Sequence, residues 1–329
     1  MGSVARHKAK QETMKVKAIA PWFGGKRTMA PLIVEQLGKH SQYFEPFCGS
    51  MAVLFAKEPT QKETVNDLHG DLVNLARVLA DPQEAPSLYE RLQSTLFSED
   101  LLHQAREHLD DVSSLSLIAH HFTDRPHAQR LERAYWYFLA SWMGRNGTAG
   151  TARMDYQIAV RWTKGGGSPT VRWKHAVESI PAWHRRLQNV VILCRDAFNI
   201  LDRFEDVPQT AIYVDPPYPA ETRAKGKYLH EFNHENTLLE RNDHARLAEI
   251  LRRYRNARIV VSSYDCPQIR ELYEGWTVVE HYRQKHLHAQ NGRGARPKKA
   301  PEVLIINGER TPEKRSGERS TERTDADGI

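Results

Sequence analysis

The sequence predicts an α/β fold, an open sheet with helices on both faces, interrupted by a long and mostly helical insertion. Three observations carry this reading. Short apolar runs alternate with segments of helical periodicity, a polar or glycine residue falls just past nearly every run, and the alternation lapses between about 85 and 188. In chain order the runs are 42–47 ahead of Gly49, Thr64-Val65 ahead of Asn66-Asp67, 190–194 ahead of Asp196, 211–214 ahead of Asp215, 257–262 ahead of Tyr264, and finally 303–306. Open α/β sheets place ligands at the carboxyl ends of their strands, so the residues just past these runs should line a cleft. Helical spacing fits 29–38, 51–57, 71–79 and 244–254, the last with Leu247, Ile250, Leu251 and Tyr254 on one face. The chain thus divides into polar tails without apolar periodicity at 1–15 and 308–329, two parts of a sheet domain at 16–84 and 189–307, and the insertion at 85–188.

Composition narrows the class. With 40% hydrophobic and 27% charged residues among 329, the chain matches globular usage. No apolar run approaches the roughly 18 residues of a spanning helix. The first residues also lack the hydrophobic region of a secretory signal, so a cytoplasmic location without membrane contact is expected. Cys48, Cys194 and Cys266 are widely spaced and form no Cys-x-x-Cys pair, which predicts free thiols. His120-His121 and the pair His286 and His288 have no carboxylates or cysteines at ligand spacing nearby, so no metal is expected.

The net charge of +6 is unevenly spread. Residues 66–112 are acidic and read as the solvated face of a helical segment. In 130–190 basic residues dominate and are interleaved with Tyr135, Trp136, Tyr137, Phe138, Trp142, Tyr156, Trp162, Trp173 and Trp183. Cations that neutralise phosphates beside rings that stack on bases suit a nucleic-acid surface, whereas a buried helix over 135–139 explains the same pattern by packing. A second basic stretch, 281–299, reads as a flexible cationic loop beside a groove.

Two motifs carry chemistry. Glu45-Pro46-Phe47-Cys48-Gly49-Ser50 runs from a strand into a small-residue turn that lets a ligand approach the backbone, while Met51 stands where a dinucleotide fingerprint would need glycine. Asp67, ending the next run, is placed to accept hydrogen bonds from ribose hydroxyls, or is an acidic loop residue. Gly24-Gly25-Lys26 lacks the spacing and the Ser/Thr of a phosphate loop. The sharper signal is Asp215-Pro216-Pro217-Tyr218 directly after a core strand. The prolines fix an extended turn and remove two amide donors, leaving carbonyls and the Asp215 carboxylate as acceptors. An exocyclic amino group offers two donors to such a cluster, and Tyr218 is a ring on which its base can stack. A structural turn capped by Asp is the plainer alternative.

Taken in order, Trp22-Phe23-Gly24-Gly25-Lys26, the Glu45 to Ser50 turn, Asn66-Asp67 and Asp215 to Tyr218 resemble Dam-like, alpha-group adenine-N6 DNA methyltransferases, as does 298–305. The resemblance implies a Rossmann-like domain using S-adenosylmethionine, a target-recognition insertion, double-stranded DNA as partner, and methylation of a flipped adenine; it also allows a restriction endonuclease as partner. It makes Trp22 and Lys26 cofactor contacts, with Lys26 on the methionine carboxylate. Glu45, Phe47 and Gly49 then border the methionine moiety, Asp67 holds the ribose, and Asp196 and Phe198 lie near the cofactor adenine. Asp215, Pro216, Pro217 and Tyr218 become the catalytic tetrad, in which Asp215 and a proline carbonyl bind the target amino group and Tyr218 stacks on the base. Met51 departs from the small residue usual after Gly-Ser, and the insertion has no evident match. Expected DNA contacts are Arg145, Asn146, Arg153, Arg161, Arg283, Arg293, Arg296 and Lys298. Cytosine N4 presents the same two donors, a DNA-binding protein with a decayed site is a second rival, and a protein glutamine amide is a third.

Overall fold

The computed structural model describes residues 14–110, 127–145, 157–160, 167–219, 232, 242–284 and 299–309. An entry segment from Met14 leads to α1 (Ala30–Leu37), which has proline in its first turn, buries Ile33 and Leu37, and ends at Gly38 with φ of 66°. Then follow β1 (Gln42–Glu45), the short α2 (Ala52–Ala56), β2 (Lys62–Asn66) and α3 (Gly70–Ala80), the last capped by the His69 ring. Helices α4 (Glu84–Gln93), α5 (Glu99–Asp110), α6 (His127–Met143) and α7 (Pro169–Leu187) come next. Alternation resumes with β3 (Val190–Leu193), α8 (Ala197–Leu201), β4 (Thr210–Val214), α9 (Asp243–Arg252), β5 (Arg258–Tyr264) and α10 (Pro267–Leu272). Strands β6 (Thr277–Gln284) and β7 (Lys299–Ile306) complete the described elements.

The strands form one seven-stranded sheet in the order β3-β2-β1-β4-β5-β7-β6. The first five are parallel, and β7 runs antiparallel to both β5 and β6. Chain order reverses direction between β1 and β4, which opens a crevice at their carboxyl ends. All six expected strands are present. The stretch expected to be a loop over 281–299 is corrected at both ends, because His281 to Gln284 pair in register with Glu302 to Lys299. As an edge strand β6 needs little apolar sequence, and its Glu280, His281, Arg283 and Gln284 disguise it.

Strand residues alternate between two cores. Tyr43, Tyr213, Val260, Leu304 and Ile306 face a layer that includes residues of α1 to α7, while Phe44, Ile212, Val214, Ile259, Val261, Val303 and Ile305 face α8, α9 and α10. Helices α4 to α7 share the first core with the sheet. The interleaved aromatics belong to that core: Tyr135, Trp136, Tyr137, Phe138, Trp142, Trp173 and Trp183 are all buried. This corrects the nucleic-acid reading for these rings, and Tyr156 and Trp162 lie outside the described residues. The indoles of Trp142 and Trp183 donate to the carbonyls of Ile19 and Val16, which pins the entry segment beneath the helical layer. The acidic face of 66–112 is also partly turned inward: Asp71 takes a bidentate pair from Arg133 at 2.5 and 2.9 Å, and Glu84 pairs with Arg130 at 3.0 Å. The three cysteines are free thiols, as expected.

Candidate active site

The turn after β1 owes its shape to backbone donors. Cys48 N–H reaches the Asn66 carbonyl at 2.9 Å and Gly49 N–H reaches Asp67 Oδ2 at 2.8 Å, which pulls the turn against the end of β2. Gly49 has φ of 44°, and a Cβ there would stand 2.7 Å from Trp22 Nε1, so glycine is needed both for conformation and for contact with that indole. Met51 adopts a left-handed conformation at φ of 62° with its side chain fully buried, so the departure noted in the motif faces the core and is not part of the cleft lining. Asn66 fastens three strand ends together. Its Nδ2 donates to the Pro46 and Arg195 carbonyls, both at 2.9 Å, and its Oδ1 accepts from Arg195 N–H at 3.0 Å.

These ends enclose a cleft of about 290 Å³. On one side Asp67 Oδ1 accepts from His69 N–H, and the His69 ring stands edge-on to Trp22 with centroids 5.4 Å apart. Burial holds the His69 imidazole below its ordinary value, which suits an Nδ1 that accepts from Leu72 N–H. On the other side Asp196 Oδ1 caps α8 by accepting from Phe198 N–H at 2.8 Å. Phe198 and Phe47 both meet Phe232, at 5.5 and 5.8 Å, and the Arg246 guanidinium lies 4.4 Å over Phe198. Trp22, Lys26, Glu45, Phe47, Gly49, Asp67, Asp196 and Phe198 are therefore brought together in one lining, with Asp215, Pro216 and Pro217. Phe232 and Arg246 were missed; neither sits in a motif, and only the fold returns them to the cleft.

At the carboxyl end of β4, Asp215 is held from two directions. Ser262 Oγ–H on β5 donates to Oδ1 at 2.7 Å, and Lys26 Nζ pairs with Oδ2 at 2.9 Å. With the serine proton so committed, the Tyr213 hydroxyl is the donor to Ser262 Oγ at 3.0 Å. Lys26 is 5% exposed, and its ammonium also meets the Gly24 carbonyl at 2.8 Å and Glu302 Oε1 at 3.4 Å. Its ammonium thus faces Asp215 and Glu302 while the residue lines the cleft, where the family resemblance gave it the methionine carboxylate. Burial pushes the Asp215 carboxyl above the ordinary range; Lys26 and Ser262 pull it back in part, and Glu302 adds to the rise. Glu45, at the end of β1, is pushed up to about 8 by burial, with Tyr43 O–H donating to its Oε2 at 2.9 Å. Burial thus raises both neighbouring carboxyls, Glu45 to about 8 and Asp215 against the pull of a cation at 2.9 Å.

Tyr218 stands behind this cluster. It is 4% exposed and outside the cleft lining, its hydroxyl donates to Glu302 Oε1 at 2.7 Å, and its ring meets Tyr264 edge-to-face at 4.7 Å. Ser262 and Glu302 are functional candidates that sequence reasoning gave no role, although Glu302 lies inside a quoted motif. Of the expected DNA contacts, Arg145 is exposed at the end of α6, while Asn146, Arg153, Arg161, Arg293, Arg296 and Lys298 lie outside the described residues, as does the side chain of Arg283. Among the described residues no group of three or more His, Cys, Asp or Glu could hold a metal, and no helix is long and apolar enough to cross a membrane.

The cleft thus offers an amino group paired acceptors at the end of β4, an arrangement that suits adenine N6 and cytosine N4 equally. Comparison with known families decides between them. No curated protein matches the chain directly. A family profile described as D12 class N6 adenine-specific DNA methyltransferase matches residues 22–289, running from the indole behind Gly49 past β5 to the segment after β6. The chain therefore belongs to the D12 class of N6 adenine-specific DNA methyltransferases, enzymes that methylate adenine in DNA.

Proposed function

We propose that the methyl donor is S-adenosylmethionine, bound across the carboxyl ends of β1 to β4, and that the target adenine rotates out of duplex DNA to meet Asp215. The cleft suits that donor on its own chemistry: glycine where a side chain would strike Trp22, carboxylates at two strand ends, and the rings of Phe47, Phe198 and Phe232. Phe47 and Gly49 border the methionine part and Trp22 closes behind it. Asp67, already shaped by Gly49 and His69 amides, faces the ribose, and Asp196 and Phe198 take the cofactor adenine beside Arg246. When bound, the cofactor supplies an electrophilic methyl group on a sulfonium.

Everything else falls to this chain. Asp215 and the Pro216 carbonyl accept the two amino hydrogens of the target base, which turns the nitrogen lone pair out of the ring plane. Lys26 and Ser262 fix both oxygens of Asp215, so the acceptor is aimed before the base arrives. The nitrogen becomes cationic as it is methylated and then loses a proton, which Asp215 or solvent takes up. Extrusion of the base costs a few kcal/mol, offset by these hydrogen bonds and by packing beside Pro216 and Pro217 in the cleft lining. Target recognition is assigned to 85–188, with Arg145 at its exposed margin. A restriction endonuclease reading the same sequence is the protein partner in keeping with this activity.

The observation that carries the reading is Asp215, held on both oxygens, at the cleft end of a core strand. Incubation with methyl-labelled S-adenosylmethionine and unmethylated genomic DNA, followed by digestion to nucleosides, should place the label on N6-methyladenine for the parent and abolish it for Asp215→Ala. Undiminished labelling by Asp215→Ala would remove Asp215 from the reaction.

A further inference from the structure

We infer that Glu302 is a positioning residue for methyl transfer, holding Lys26 and Tyr218 in place and, through Lys26, setting the aim and ionisation of Asp215. The inference rests on the reading that Asp215 receives the target amino group. Glu302 lies beyond residues 22–289 and does not line the cleft, yet it is 5% exposed. It is delivered by topology. Because β7 is antiparallel, its early residues reach the carboxyl end of β5, where Glu302 pairs in register with Tyr264.

One carboxylate oxygen then serves two neighbours: Oε1 accepts the Tyr218 hydroxyl at 2.7 Å and faces the Lys26 ammonium at 3.4 Å. Lys26 Nζ also lies 4.8 Å from the Tyr218 ring centroid. Lys26 thus stands between two largely buried carboxylates, and because the ammonium favours ionisation of Asp215 while Glu302 opposes it, the place where Glu302 holds Lys26 sets how Asp215 accepts a hydrogen bond. Around Asp215 stand Lys26 from the loop before α1, Glu302 from β7, Tyr213 and Tyr218 on either side in its own segment, and Glu45 from β1.

Glu302→Gln tests this in the full chain, because the amide keeps the size of the side chain and still accepts the Tyr218 hydroxyl while losing the charge. The expected result is a fall in kcat of about tenfold or more, with the affinity for S-adenosylmethionine measured by calorimetry without DNA changed by less than about twofold. The acid limb of kcat against pH moves to lower pH, since the anion that raised the Asp215 carboxyl has gone. Tyr218→Phe, which keeps the ring and removes the tether, lowers kcat by a smaller factor and gives a second reading should the glutamine variant fail to fold. Parent-like kcat in either folded variant overturns the inference, as does a loss of kcat in Glu302→Gln that follows the thermal midpoint while the pH profile stays in place. If Asp215→Ala remains active, the underlying reading fails with it; if Asp215→Ala is dead and Glu302→Gln behaves as the parent, only this inference fails.

Discussion

Glu45 and Asp215 end neighbouring strands, and burial raises both carboxyls, while Lys26 pairs with Asp215 at 2.9 Å. The consequence for stability follows from Glu45. Its carboxyl is raised from 4.5 to about 8 in the fold, so the folded state holds a proton that the unfolded chain releases. Stabilisation from this group is complete below the ordinary carboxylate range and is lost as pH rises through that window towards about 8. Glu45→Gln, which cannot ionise, should therefore flatten the decline in unfolding midpoint across the same window; denaturation at a series of pH values checks it, and an unchanged slope would deny the buried proton. Gly49→Ala meets two obstacles, a Cβ 2.7 Å from Trp22 Nε1 and a positive φ. Displacing the indole should weaken S-adenosylmethionine binding by about 1–3 kcal/mol, read by calorimetry. Met51 already holds a left-handed conformation without being glycine, at a cost of about 1–2 kcal/mol that its complete burial must offset.

Between elements, a buried ion pair joins α3 to α6. Arg133 and Asp71 form a bidentate pair with side chains 6% and 10% exposed, so Arg133→Met leaves a buried carboxylate without its cation and should lower stability by about 3–5 kcal/mol in denaturant titration. Pairing it with Asp71→Leu should return much of that loss; a double variant no better than the single one would show that packing, not charge, was lost. This joint also shows where sequence reading stops. Strand ends were legible because apolar runs stop at Asp67 and Asp215, and the turn at Gly49 because small residues follow a strand. Asp71 and Arg133 were legible only as members of an acidic and a basic stretch, since their partnership spans two helices that periodicity cannot bring together. The rings at 135–138 matched both a core and a base-stacking surface until packing chose the core. Ser262 was hidden inside an apolar run, and Glu302 became part of the site only because β7 reverses direction.

For the molecule as a whole, a DNA substrate and an overall charge of +6 imply binding that weakens as salt rises. If the exposed Arg145 contacts a phosphate, Arg145→Ala should lower affinity across different DNA sequences and reduce the salt slope by about 1, measured by fluorescence anisotropy at several salt concentrations. An unchanged slope would place the contact elsewhere. The sheet order has a consequence in time as well as in space. Among the described residues strand β6 joins the sheet through β7, and β7 bears the carboxylate that meets Lys26, a residue made 276 positions earlier. During synthesis the parallel strands and their cleft can assemble while this far side stands open. A growing chain would then be able to hold the methyl donor before Lys26 has its second carboxylate, and competence to modify DNA would arrive only when the last strand slides in between β5 and β6.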